Sequence, residues 1–127
     1  MTDTKTSQSA EFHKLDNPVD GLFRELGPGL TTHIFSGEHA MLSVVVIAPN
    51  AQGTMHHHPE EQWGVLLEGT AIRFQGGAEI HVTKGDFWRT PGHVPHTMRA
   101  GPEGCRVLDI FSPPRSEYRK PGHGFGV

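Results

Sequence analysis

Residues 53–62 read Gly-Thr-Met-His-His-His-Pro-Glu-Glu-Gln and hold three of the ten histidines in this 127-residue chain. Side chains alternate between the two faces of a β-strand, so we expect His56 and His58 to project together while His57 points away. Two imidazoles on one face can bind a single metal ion at about 2.0–2.1 Å each. Gln62 opens the next apolar segment, where its amide oxygen can turn back toward the same ion. The alternative is a solvated histidine run at a strand edge.

A second stretch further along the chain contains Gly85, Pro91, Pro95 and His96. The first stretch follows the pattern His-x-His, three residues, Gln, six residues, Gly69. Together the two stretches resemble the two sequence motifs of the cupin family. The resemblance implies an all-β fold, the double-stranded β-helix or jelly-roll barrel, with one divalent transition metal ion inside. The metal ligands that it implies are His56, His58, Gln62 and His96.

Several residues depart from the family pattern. Asn50 stands where the family often has glycine, and His93 stands where the second motif usually has glycine. Asn tolerates the left-handed backbone conformation better than most residues, so a turn at Asn50 can survive. Gln62 replaces the more usual glutamate, which leaves four neutral ligands and makes the ion a stronger Lewis acid. Zn, Ni, Fe, Mn or Co would each accept mostly imidazole ligands.

Short strand-like segments, separated by Gly, Pro or Asn, follow one another along the chain. They recur about every ten residues, which is typical of an all-β sandwich or barrel. The segments are Leu30–Phe35, Ala40–Ile47, Gln62–Leu67, Thr70–Phe74, Glu79–Val82, Asp86–Arg89, His96–Arg99 and Arg106–Phe111. Only residues 20–26 show a weak helical period. We expect one domain, with a flexible segment at residues 1–12, a barrel over residues 13–115 and a tail over residues 116–127 that wraps over the barrel or a partner subunit.

Charge and cysteine content exclude several classes of protein. The net charge is −3, so no basic surface for nucleic acid or anionic lipid is expected. The longest apolar run, residues 42–49, is too short to cross a bilayer. Cys105 is the only cysteine, and residues 1–9 lack the apolar core of a signal peptide. We expect a cytoplasmic protein with a small-molecule substrate and, as in other small cupins, a homodimer formed through an edge strand.

Asp109 is an anomaly in an otherwise apolar strand. By alternation it shares one face with Val107 and Phe111. A carboxylate inside such a strand must be paired, lie near a cation or act in a site, unless the strand is an edge whose Asp109 faces water. The closing sequence Asp-Ile-Phe-Ser-Pro-Pro-Arg, residues 109–115, resembles the pectin-degradation cupins that linearise unsaturated uronates. That resemblance implies that Asp109, Phe111 and Arg115 are the catalytic residues.

Three functions are compatible with these residues, and we rank them in the order given. The first is a metal-dependent, non-redox enzyme acting on a small anionic sugar acid, by ring opening or isomerisation of a uronate. The second is an iron- or nickel-dependent dioxygenase, which also uses mostly histidine ligands. The third is a small-molecule-binding cupin without turnover. Elsewhere we expect Arg73 and Arg89 to be solvated, and Cys105 to be a buried, inert thiol.

Overall fold

The computed structural model describes residues 11–125 and is almost entirely β-structure. The expected flexibility of residues 1–12 therefore falls almost wholly outside the described residues. The strands are β1 (Leu22–Gly27), β2 (Leu30–Ser36), β3 (Met41–Ile47), β4 (Glu61–Gln75), β5 (Ala78–Thr83), β6 (Phe87–Thr90) and β7 (His96–Ser112). The all-β prediction is confirmed.

All strand pairs are antiparallel, and the sheet has the order β1-β2-β3-β7-β4-β5, with β6 paired to β4. The alternation of apolar and polar residues in each strand sends one face into the barrel. From β3, for example, Met41, Ser43, Val45 and Ile47 are buried, while Leu42 and Val46 are exposed. Val44 on the outer side of β3 is also buried, so the alternation is followed by most residues of this strand rather than by all.

Strands β4 and β7 are each longer than the sequence predicted. The segments Gln62–Leu67 and Thr70–Phe74 belong to one strand, and His96–Arg99 and Arg106–Phe111 belong to another. The ladder between β4 and β7 is shifted at residues 66–68 and 69–71, where the strand bends without ending. Gly69 has φ 84°, and a Cβ atom there would lie 2.2 Å from the Gly104 carbonyl oxygen. The glycine thus allows the strand to bend at the point where the sequence suggested that one strand ended and another began.

The weak helical period at residues 20–26 suggested a helix, and that suggestion is wrong. Residues 22–27 form β1, which pairs with β2 through a turn containing Gly29 at φ 78°. A segment of this length gains more stability from hydrogen bonds to a neighbouring strand than from forming an isolated helix, because a helix this short is only marginally stable in water. Tertiary pairing therefore overrides the local pattern.

Among residues 11–125, two non-glycine residues have positive φ, Asn50 at 61° and His93 at 68°. Both stand where the resemblance to the cupin motifs expects glycine. The backbone is therefore left-handed at both positions, and Asn50 bears out the expectation for its turn.

The tail packs over its own barrel as far as the structure describes it. A short 3-10 helix, Ser116–Arg119, buries Tyr118 in the core. The Arg24 guanidinium donates hydrogen bonds to four tail carbonyls, at 2.8 Å (Gly124), 2.9 Å (Glu117), 2.9 Å (His123) and 3.4 Å (Lys120). None of the described helices is long and apolar enough to cross a membrane.

Candidate metal centre

Three histidines from the two sequence motifs meet inside the barrel. One ring nitrogen from each of His56, His58 and His96 lies within 4.8 Å of the others, and all three side chains are buried. The backbones of His56 and His96 hydrogen-bond to each other in both directions, at 2.9 and 3.1 Å. This bridge brings together two residues that are 40 positions apart in the sequence. His57 is exposed, as alternation predicted, although residues 56–58 form no strand beyond the isolated bridge of His56 to His96.

A backbone carbonyl fixes the tautomer of each histidine. The Nδ1–O distances are 2.7 Å (His56 to Thr54), 2.8 Å (His96 to Val94) and 3.1 Å (His58 to Glu60). A carbonyl oxygen only accepts hydrogen bonds, so each Nδ1 carries the proton and each Nε2 offers a lone pair. Histidines that bind metals are commonly oriented in this way.

Gln62 lies against the histidine cluster. Its Oε1 atom lies 3.0 Å from the Nε2 atom of His58. Its amide also lies near enough to Asp109 to lower the pKa of that carboxyl, and because a carboxylate accepts, this fits an amide nitrogen that faces Asp109 and an Oε1 atom that faces His58. Two acceptor atoms thus face each other, as they do when they share a cation. Ligands about 2.1 Å from one ion, at a right angle, are about 3.0 Å apart.

His96 supports the same conclusion. It is 1 % exposed, and its Nε2 atom is buried with no hydrogen-bond partner among the described residues. A buried polar atom without a partner is unfavourable unless a ligand satisfies it. The three histidines can therefore hold a metal ion, and the residues present fit one. The assignment of His56, His58, Gln62 and His96 as its ligands stays a prediction.

Burial keeps the three imidazoles neutral. Desolvation is the largest cause in each case, lowering the pKa of His56 to about 4 and that of His96 to about 3. The pKa of His58 is lowered by the same cause, with a smaller contribution from Arg115. Neutral imidazole is the form that binds metals, so protons do not compete for these nitrogens at neutral pH.

Asp109 lies beside this cluster, on the inward face of β7. It lines the same cavity as His56, His96 and Gln62, and its Oδ1 atom is buried without a hydrogen-bond partner among the described residues. Burial raises the pKa of Asp109 to about 6, although Arg73, the Gln62 amide and Arg115 oppose the shift. The strand edge facing water, considered above as an alternative, is not what the structure shows. A carboxylate with such a pKa is suited to proton transfer near neutral pH.

Arg115 and Phe111 line the same cavity. Arg115 is 1 % exposed, and its guanidinium carbon lies 4.2 Å from the centroid of the Tyr118 ring. Its Nη2 atom donates to the Phe125 carbonyl, while Nε and Nη1 have no partner among the described residues. Phe111 packs edge-on against His58, with 5.6 Å between ring centroids. The three residues implied as catalytic therefore come together around the histidine cluster.

Comparison with protein families agrees with this geometry. Residues 43–111 match the family model described as a cupin domain, and this range is more than half of the chain. The chain belongs to the cupin family. The resemblance drawn from the two histidine motifs is confirmed, and so is the jelly-roll barrel.

This cupin is also similar to solved structures. An RmlC-like cupin from Shewanella frigidimarina NCIMB 400 matches with a TM-score of 0.72 and 26 % identity, over 79 % of this chain and 90 % of that chain. KdgF from Halomonas sp. matches with a TM-score of 0.71 and 26 % identity, over 78 % of this chain and 92 % of that chain. Oxalate decarboxylase from Bacillus subtilis matches with a TM-score of 0.69 and 22 % identity, over 79 % of this chain and 29 % of that chain. At this identity the likeness shows the fold alone.

Among curated proteins, oxalate decarboxylase OxdC from Bacillus subtilis (strain 168) is 31 % identical over 70 residues. The match covers 51 % of this cupin but only 18 % of OxdC. The chain thus spans less than a fifth of the curated relative that it matches, and OxdC is a much longer protein.

Two residues of the cupin's cavity were missed by sequence reasoning. Arg73, expected to be solvated, is 5 % exposed and lines the cavity. The sequence does contain a signal for this position, because Ala71 and Arg73 are two residues apart and share one face of the strand. The bend at Gly69, however, hides which face is inward. Phe125 belongs to the tail, and its ring stacks on His56 with 4.2 Å between centroids. No local pattern distinguishes this phenylalanine from an exposed one.

Phe125 is one of the residues that line this cavity. The cavity volume is about 40 Å³, which is room for a few water molecules. A sugar acid is larger, so side chains that line the cavity must move to admit a substrate of that size. Among the other expectations, Arg89 is exposed, and Cys105 is buried with its pKa raised to about 11 by desolvation. A thiol with that pKa is inert at neutral pH.

Proposed function

We propose that this cupin is a metal-dependent, non-redox enzyme that acts on a small anionic sugar acid, by ring opening or isomerisation of an unsaturated uronate. One observation carries the proposal. The carboxylate of Asp109, whose Oδ1 atom is buried, lies in one cavity with His56, His96 and Arg115, and two nitrogens of the Arg115 guanidinium have no hydrogen-bond partner among the described residues. These are the parts needed to hold an acid, polarise it and move a proton.

Each residue has a role that follows from its surroundings. Arg115 binds the substrate carboxylate through a charge-assisted hydrogen bond from Nε or Nη1, the nitrogens without a partner among the described residues. Asp109 accepts or donates the proton, since its pKa of about 6 lets it exist in both forms near neutral pH. Phe111 forms an apolar wall that holds the ring and excludes water. The bound metal would supply Lewis-acid polarisation of a ring or carbonyl oxygen.

The comparisons support this proposal in part. KdgF, one of the pectin-degradation cupins, is similar to this chain over 78 % of its length. The closing sequence of residues 109–115 resembles the same group of enzymes. Oxalate decarboxylase from Bacillus subtilis has Mn(II) centres, which is consistent with a metal-binding barrel of this fold. The metal in this cupin is proposed to be one of Zn, Ni, Fe, Mn or Co.

The test is an anaerobic assay with a 4,5-unsaturated galacturonate, whose ultraviolet absorbance is lost when the double bond is consumed. We expect the metal-loaded protein to accelerate this loss, and a chelator to abolish the acceleration. Asp109→Asn should lower the rate at least about 100-fold while the bound metal is retained. The control is Asp16→Asn, an exposed aspartate outside the cavity, which should leave the rate unchanged.

Either of two results would contradict the proposal. If no uronate is consumed faster than in buffer, the reaction class is wrong. If Asp109→Asn retains full turnover, the role of Asp109 is wrong. Turnover that requires oxygen would instead favour the dioxygenase, the second function considered from the sequence.

A further inference from the structure

The cavity contains more positive than negative charge. Two guanidinium groups, Arg73 and Arg115, line it, and Asp109 is the sole carboxylate among its described lining residues. Within residues 11–125, no carboxylate oxygen lies within 4.0 Å of either guanidinium. Burial of a charge is unfavourable unless a partner compensates it. The protein alone therefore leaves a positive charge to be compensated, before any metal adds to it.

Arg73 is held in position by neutral groups. Its Nη2 atom donates to the Thr90 hydroxyl at 2.9 Å, and its Nε atom donates to the Gln75 side-chain oxygen at 3.2 Å. The Thr90 hydroxyl in turn donates to the same Gln75 oxygen, at 2.6 Å. The guanidinium also lies over the Trp88 ring, with 5.5 Å from its central carbon to the ring centroid. These contacts fix the orientation of Arg73 without neutralising its positive charge.

Arg73 stays cationic in this environment. Burial lowers its pKa to about 10, and the charge of Asp109 opposes the shift, so the group is protonated at neutral pH. An arginine that only stabilises a barrel would be expected to pair with a buried carboxylate or to extend into solvent. Arg73 does neither, since it is 5 % exposed. Its charge is left facing the cavity that also holds Arg115.

We propose that Arg73 is a second anion-binding residue of this cavity and acts with Arg115, so that the site binds small organic dianions more tightly than monoanions. The inference deepens the proposed function and rests on it only for the nature of the natural substrate. A uronate carries one carboxylate, and a second negative charge develops when such an acid loses a proton. Arg115 holds the first charge, and Arg73 stabilises the second. A dianion in the ground state reproduces both charges together.

Calorimetric titration of the metal-loaded protein with malonate and with propionate tests this. Both acids have three carbon atoms, but they carry two charges and one. Both are larger than the cavity of about 40 Å³, so both require lining side chains to move, and the ratio of their affinities removes that common effect. We expect the wild type to bind malonate at least about tenfold more tightly than propionate, since a charge-assisted contact with Arg73 favours the dianion.

Malonate can also chelate the metal, so variants are needed to distinguish the contribution of Arg73 to malonate binding from that of the metal. Arg73→Gln can still bond to Thr90 but lacks the charge, and it should lose most of the preference at unchanged metal content. Arg73→Lys keeps the charge and should keep most of the preference. The matched control is Arg89→Gln on β6, whose side chain is half exposed and paired to Glu61. Its preference should equal that of the wild type.

The results that overturn the inference are specific. A wild type without a preference for malonate overturns it, and so does a folded Arg73→Gln variant with the full preference. If Arg73→Gln does not fold, a folded Arg73→Lys that has lost the preference overturns it instead. The titrations need no turnover. A protein that prefers malonate through Arg73 but consumes no uronate would therefore refute the proposed function and leave this inference standing.

Discussion

At the scale of single residues, the site depends on which atom each side chain presents. The Nδ1 atoms of His56, His58 and His96 are occupied by carbonyl oxygens, so their Nε2 atoms face one another. The same stretch of sequence contains His57, which differs from its neighbours only in the side of the extended segment that it occupies. Position along this segment, rather than chemical type, therefore decides which histidine can bind a metal.

This contrast provides the first prediction. His58→Ala should reduce the bound metal from one ion per chain to a small fraction of that after dialysis, because it removes a buried ligand nitrogen. His57→Ala is the matched control and should retain the metal, since His57 is exposed. Elemental analysis of the dialysed proteins measures both. Equal metal content in the two variants would show that the ion binds elsewhere.

At the scale of structural elements, β4 and β7 bring the chemistry together. Strand β4 contributes Gln62 and Arg73, and β7 contributes His96, Asp109 and Phe111. Each strand bends across the barrel, so residues far apart along one strand line the same cavity. The tail is the other decisive element, because it places Phe125 against a candidate metal ligand.

The tail gives the second prediction. Phe125→Ala should let a chelator remove the metal several-fold faster, because the ring stacks on His56 and lines the cavity. The control is Phe87→Ala, which removes a phenylalanine that is mostly exposed and outside this cavity. Metal release after mixing with excess chelator can be followed with a metal-sensitive dye. An unchanged rate in Phe125→Ala would mean that the tail does not control access.

At the scale of the whole molecule, one face of the sheet is apolar and exposed. Phe23, Leu42, Val46 and Trp63 project from the outer side of strands β1, β3 and β4, with β2 between the first two of these strands and β7 between the last two. Exposed apolar side chains gathered on one face often mark a protein interface. The sequence predicted a homodimer through an edge strand, and the homodimer stays a prediction. The structure points to this outer face as the surface that a partner would cover.

The third prediction follows from that face. The purified protein should be a dimer at micromolar concentration, and Val46→Lys should convert it to a monomer, because a charge would be buried in the interface. Ile80→Lys is the control, since Ile80 is about half exposed but lies on β5, away from this face. Light scattering after size-exclusion chromatography measures the mass. A monomeric wild type would refute the prediction.

Sequence alone determined the fold and much of the candidate site. Strand alternation grouped His56 with His58 and marked Asp109 as an anomaly, and the resemblance to the cupin motifs added His96. The inferences from alternation rest on short-range geometry, since the two-residue period of extended backbone fixes which side chains share a face.

Tertiary structure alone decided the rest. The bend at Gly69 turned Arg73 inward, and the fold of the tail brought Phe125 onto His56. The charge excess in the cavity likewise appears only when strands β4 and β7 are placed side by side. Each of these features depends on contacts between residues far apart in the sequence. A local pattern carries no information about such contacts, because their energies arise only after the chain has folded.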